Sequence, residues 1–104
     1  MITAYICSPY AGDVEGNVER AKIYCKNAIF KGAMPVASHL LYPQFLNDND
    51  PAERNLGMSF AVRLLSMCDQ LWVFGDTVSK GMKAEITFAE ECGIPIRYFS
   101  DAEL

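Results

Sequence analysis

At 104 residues the chain has room for one domain, residues 1–104, near the lower end of the common size range. Apolar residues make up 51% and charged residues 21%, a balance that suits a packed core and excludes intrinsic disorder. The formal charge of −4, without any long basic run, excludes a general nucleic-acid-binding surface, so no nucleic-acid polymer is expected as a partner.

The first predicted element is a strand over Ile2 to Cys7, whose near-continuous apolar character suits a strand covered on both faces of a parallel sheet. Ser8-Pro9-Tyr10-Ala11-Gly12-Asp13 breaks it with turn chemistry, and Asp13 is a fair N-cap for a helix running to about Lys31. Val18, Ala21, Cys25, Ala28 and Ile29 mark the expected inner face of that helix, and Gly32 supplies its stop. A second short strand is expected over Met34 to Ala37.

Ser38 to Asn49 is the least regular stretch and is long for a connection in so small a domain. Its Leu, Tyr and Phe residues fit either a functional loop or a subunit contact. Asp50-Pro51-Ala52-Glu53 is a helix start with a capping aspartate, proline at the first helical position and glutamate at the third. Leu56, Phe60, Leu64 and Met67 give the expected apolar stripe, closing at Cys68-Asp69. Gln70 to Gly75 reads as a third strand. A short polar loop, Asp76-Thr77-Val78, leads into a helix opening on Ser79 and ending at Cys92-Gly93, before a fourth strand over Pro95 to Phe99. The order βαβαβαβ predicts a small α/β domain with a parallel sheet.

The four cysteines (Cys7, Cys25, Cys68, Cys92) are widely spaced with no C-x-x-C, and there is one histidine. Zinc-ligand spacing is absent, and neither metal nor cofactor is expected. Met1 to Tyr5 shows no charged region ahead of an apolar stretch, and no apolar run approaches membrane length. The thiols are therefore read as reduced core fillers and the chain as cytoplasmic, with no membrane partner.

In a parallel sheet the loops after the strands gather at one edge, where α/β folds place ligands. Those loops pool hydroxyls (Ser8, Tyr10, Ser38, Thr77, Ser79), glycines (Gly12, Gly75, Gly81), His39 and the nearby Glu85. Hydroxyls and the free N–H groups of a helix start suit a phosphate or a sugar. Glu85, about two turns into its helix, suits a nucleophile or base, although a solvated helix glutamate has the same spacing. His39 fits either a hydrogen-bonded structural residue or a catalyst. Arg54 fits either a surface charge or an anion clamp. Met82, beside Gly81, fits core or pocket wall. A G-x-G-x-x-G fingerprint, a P-loop, a G-x-S-x-G elbow and an acidic phosphoreceiver loop are all absent.

These residues resemble the nucleoside 2-deoxyribosyltransferase-like superfamily, in particular its small bacterial and phage members. Tyr5-Ile6-Cys7-Ser8-Pro9-Tyr10-Ala11-Gly12 matches that family's opening strand and loop. Ser79, Gly81, Glu85 and Ala89 match its signature, in which a hydroxyl or acid stands six residues before a glutamate. Cys68 to Gly75 and the turn Gly93-Ile94-Pro95 also match. The resemblance implies a flavodoxin/Rossmann-like three-layer α/β domain with a four- to five-stranded parallel sheet.

It further implies cleavage or transfer at the N-glycosidic bond of a nucleoside or nucleoside 5′-monophosphate. Glu85 would be the nucleophile and Tyr5 its orienting partner, with Ser8, Tyr10, Gly12, His39, Arg54, Ser79, Gly81 and Met82 as substrate-binding residues. A homodimer or higher homo-oligomer is expected, since relatives complete their sites with a neighbouring subunit. Two departures stand out. The aspartate that serves the leaving base in relatives falls here on Ala61, for which Asp48, Asp50 or His39 could substitute, and the first-loop arginine of some relatives is Ala11, for which Arg54 could compensate. A catalytically inactive nucleotide-binding module, or an assembly protein with a vestigial pocket, are the alternative readings.

Overall fold

The computed structural model describes all 104 residues. Strand β1 (Thr3–Cys7) leads into helix α1 (Val14–Phe30) and strand β2 (Met34–Val36). Two single turns of 3-10 helix, Ser38–Leu40 and Tyr42–Gln44, precede helix α2 (Pro51–Ser66). Strand β3 (Gln70–Phe74), helix α3 (Lys80–Cys92), strand β4 (Ile96–Phe99) and a 3-10 turn at Asp101–Glu103 complete the chain. The strands form one four-stranded sheet in the order β2-β1-β3-β4, with every pair parallel.

Alternation along the central strands explains the layers. Ala4 and Ile6 of β1, with Trp72 and Phe74 of β3, pack against Tyr24 and Ala28 of α1. Tyr5, Cys7, Leu71 and Val73 point to the opposite face, where Leu65 of α2 and Met82 and Ala89 of α3 cover them. Helices thus cover both faces, and the central strands read as unbroken apolar runs for that reason. The chain crosses from one face to the other between β1 and β3, so the loops after these two strands diverge around a crevice at their carboxyl ends.

The helix boundaries follow the capping chemistry. Asp13 accepts from the Gly16 N–H at 3.2 Å, Asp50 from the Ala52 N–H at 2.9 Å, and Ser79 from the Met82 N–H at 3.3 Å. Gly93 ends α3 in the left-handed region at φ 71°, a conformation that a side chain would resist. Glu53 does not reach back to the Asp50 N–H, as the spacing suggests. It accepts instead from the Asn47 N–H at 3.0 Å and ties the preceding loop to α2.

The inner faces of two helices differ from those expected. On α1 the buried positions are Asn17, Ala21, Tyr24 and Ala28, while Ile29 is 57% exposed. Asn17 and Tyr24 turn inward because their polar atoms find partners, Asn17 donating to the Tyr10 and Ala11 carbonyls and Tyr24 to Asp101. On α2 only Leu65 is buried, and Leu56, Phe60 and Met67 are exposed. That helix carries apolar residues nearly all round, so spacing alone does not choose its inner face. All four cysteines are free. Cys7 and Cys68 are buried, Cys25 is half-buried, and Cys92 is exposed rather than a core filler. No helix is long and apolar enough to cross a membrane.

Candidate functional site

Three segments at the carboxyl edge of the sheet deliver the polar side chains. Strand β1 aims Tyr5 at the face covered by α2 and α3, the chain leaving β2 begins with Ser38 and His39, and the capped start of α3 brings Glu85 over Tyr5. The Tyr5 hydroxyl donates to Oε2 of Glu85 and lies 2.6 Å from Oγ of Ser38. Cys7, two positions beyond Tyr5 on the same strand face, has its thiol 3.9 Å from the Met82 carbonyl.

Electrostatics keeps this cluster in one protonation pattern. Burial pushes the Glu85 carboxyl above its ordinary value, while hydrogen bonds from Tyr5 and Cys7 pull it back. Burial, and then the negative charge of Glu85, hold the Tyr5 hydroxyl far above the usual tyrosine range. The same two causes raise the Cys7 thiol. Tyr5 is therefore a neutral donor rather than a phenolate. His39 is lowered to about 4 by burial, which keeps its imidazole neutral near pH 7. Its Nε2 lies 3.1 Å from the Ser8 hydroxyl, and its ring centroid is 6.0 Å from that of Tyr10.

Glu85 opens onto a cavity of about 340 Å³, within the range that binds a small ligand. Ser8 and Tyr10 line one side, Ser38, His39, Tyr42 and Asp48 a second, and Ser79 to Met82 of α3 a third. The remaining wall is α2, which presents Glu53 and Arg54 near its start and then Gly57, Met58, Ala61 and Val62. Of the residues singled out in the sequence, Ser8, Tyr10, His39, Arg54, Ser79, Gly81, Met82 and Glu85 all line this one cavity. Tyr5 stands behind the lining and reaches the site through its bond to Glu85. Gly12 lies outside it, where its φ of 94° serves the turn between β1 and α1.

Among the substitutes for the missing aspartate, Asp48 and His39 line the cavity, whereas Asp50 is engaged in capping α2. Ser79 also has a structural duty as the cap of α3, but it accepts there, and its own hydrogen stays free to donate. Glu53 and Lys80 are cavity residues that sequence reasoning did not select, and Ser38 entered it only among the pooled hydroxyls, without a role. For Ser38 a signal existed, since it follows directly on the carboxyl end of a parallel strand. Nowhere do three or more His, Cys, Asp or Glu side chains converge to hold a metal ion.

The chain belongs to the family described as "Domain of unknown function (DUF7768)", whose model matches residues 2–99. No curated protein matches it at the sequence level. Among solved structures it is similar to the 2-deoxyribosyltransferase from Bacillus psychrosaccharolyticus, with a TM-score of 0.70 and 16% identity over 94% of this chain and 72% of that one. It is also similar to the 2-desoxiribosyltransferase from Leishmania mexicana, with a TM-score of 0.66 and 16% identity. There the match covers 96% of this chain and 65% of the Leishmania chain, so this chain spans about two thirds of that protein. At such identities the likeness shows the fold, which is nucleoside 2-deoxyribosyltransferase-like.

Proposed function

We propose that the chain cleaves or transfers at the N-glycosidic bond of a nucleoside or nucleoside 5′-monophosphate, with Glu85 as nucleophile. The observation that carries this reading is a half-buried glutamate, hydrogen-bonded by a neutral tyrosine, opening onto a ligand-sized cavity at the carboxyl edge of the sheet. The likeness to enzymes that transfer deoxyribosyl groups supports the class of reaction.

In this reading the Glu85 carboxylate attacks the anomeric carbon as the bond to the base nitrogen breaks, and the bonding pair leaves with the base. The sugar is then held as an ester of Glu85, and water or a second base displaces it, restoring the carboxylate. The departing base needs a proton or a hydrogen bond. His39 and Asp48, which both line the cavity, are the groups we assign to give one. The N–H groups at the start of α3, the Ser79 hydroxyl and the side chains of Lys80 and Arg54 suit a 5′-phosphate. The apolar α2 wall and Tyr10 suit the flat faces of a base. A second copy of the chain is the proposed cover for exposed apolar residues next in sequence to cavity-lining ones, among them Leu41, Phe45 and Leu56.

One observation favours a second reading, a nucleotide-binding module without turnover. Ala61, the position at which the resemblance leads one to expect an acid for the leaving base, lines the cavity, and without a substitute departure slows roughly 10²- to 10⁴-fold. The test is incubation of the purified protein with pooled nucleosides, deoxynucleosides and their 5′-monophosphates, reading released base by chromatography beside Glu85→Ala. Base release that vanishes in the variant supports the enzyme. Thermal stabilisation by one of these compounds without base release supports the binding module.

A further inference from the structure

We infer that Ser38 is a positioning residue for the proposed nucleophile, acting through Tyr5: its hydroxyl donates to the Tyr5 oxygen, and Tyr5 gives its single proton to Glu85. The inference rests on the reading of Glu85 as a nucleophile for its catalytic meaning, but not for its physical basis.

Counting protons fixes the direction of the chain. An ionised carboxylate accepts and cannot donate, so the bond between Tyr5 and Glu85 uses the tyrosine hydrogen. Tyrosine has no second hydrogen on that oxygen. The 2.6 Å contact between Ser38 and Tyr5 must then carry the serine hydrogen. Ser38 is only 6% exposed, and Tyr5 is the one partner of its hydroxyl. A buried serine at the start of a 3-10 turn could have bonded to its own backbone, and this one does not. Its hydroxyl is committed to a residue 33 positions away.

Donation into the Tyr5 oxygen polarises its O–H bond and strengthens what it gives to Glu85, a cooperative gain of order 10–30% per bond. The chain also fixes which carboxylate oxygen is occupied. Tyr5 holds Oε2, which leaves Oε1 the oxygen free of that bond. Without Ser38 the tyrosine hydroxyl loses its second anchor, and the carboxylate loses part of what offsets its burial.

The test is a carbon-13 NMR titration of glutamate-labelled protein, following the Glu85 carboxyl in the wild type, Ser38→Ala, Tyr5→Phe and the double variant. Base release from the nucleoside and nucleotide pool is measured on the same samples. Ser38→Ala is expected to raise the Glu85 midpoint and to lower turnover about three- to tenfold. Neither change should appear when Ser38→Ala is added to Tyr5→Phe. Ser38→Cys, which keeps a weaker donor at similar volume, should give an intermediate midpoint and guards against a folding defect in the alanine variant. An unmoved midpoint in Ser38→Ala, or the same shift with and without the Tyr5 hydroxyl, would overturn the inference. If no compound in the pool is cleaved, the titration still decides the role of Ser38 while the proposed reaction fails. Base release with an unmoved midpoint would leave the reaction standing and remove Ser38 from it.

Discussion

A carboxylate half under a protein surface keeps its charge only if hydrogen bonds replace the lost water, and Glu85 has Tyr5 for that purpose. Burial outweighs them, so the group titrates above an ordinary glutamate. If the ionised form attacks, the pH profile of kcat/KM should fall on its acid side at a pH above the usual carboxylate range. Glu85→Gln should abolish turnover at every pH while leaving the circular dichroism spectrum unchanged. His39 makes the opposite kind of statement, about stability. Its value falls from 6.5 in the unfolded chain to about 4 in the fold, so between these pH values the unfolded state binds the extra proton. The contribution of His39 is therefore complete above pH 6.5 and is lost as the pH falls toward 4, to a maximum of about 3 kcal/mol. Urea unfolding of the wild type and His39→Gln across that window should show the difference between them shrinking or reversing toward the acid end.

At the level of elements, the start of α3 combines a cap with a candidate anion site. Ser79→Ala removes the acceptor for the Met82 N–H and should cost about 1 kcal/mol, read as a lower denaturation midpoint. It should also weaken binding of a 5′-monophosphate more than that of the matching nucleoside, a difference that calorimetry would measure. Ser79, Asp50-Pro51 and Gly93 were legible as boundaries because a cap acts within four residues of itself. The central strands were legible because a sheet covered on both faces leaves an unbroken apolar run. The inner face of α2 was not legible. Leu65 is chosen over Leu56 and Phe60 by what lies opposite, and no spacing within the helix records that. The same limit hid the role of Ser38, though not its place among the hydroxyls of the ligand edge. Its hydroxyl role depends on a contact across 33 residues, whereas Glu85 and Tyr5 were visible through the signature that each belongs to. Gly12 fell among the ligand residues because a glycine that serves a turn and one that admits a ligand look alike in sequence.

On the scale of the whole molecule, the cavity lies on the face covered by α2 and α3, and apolar side chains next in sequence to its lining residues are left in water by the chain itself. Phe45 is 68% exposed, with Leu41 and Leu56 also exposed. A second copy that covers these side chains and the cavity with them would exclude water from the proposed ester. Analytical ultracentrifugation at micromolar concentration should show a dimer or larger assembly. Phe45→Asp should shift it toward monomer and lower turnover by about tenfold or more, with little loss of monomer stability because most of the side chain is already in water. An assembly indifferent to this substitution would place the contact elsewhere.

The most direct measurement is mass spectrometry of protein quenched in acid during incubation with the nucleoside and 5′-monophosphate pool. A covalent sugar ester should appear as added mass on the peptide containing Glu85 and should be absent from Glu85→Gln. Base release without any adduct at Glu85, or an adduct mapped to another residue, would contradict Glu85 as the nucleophile.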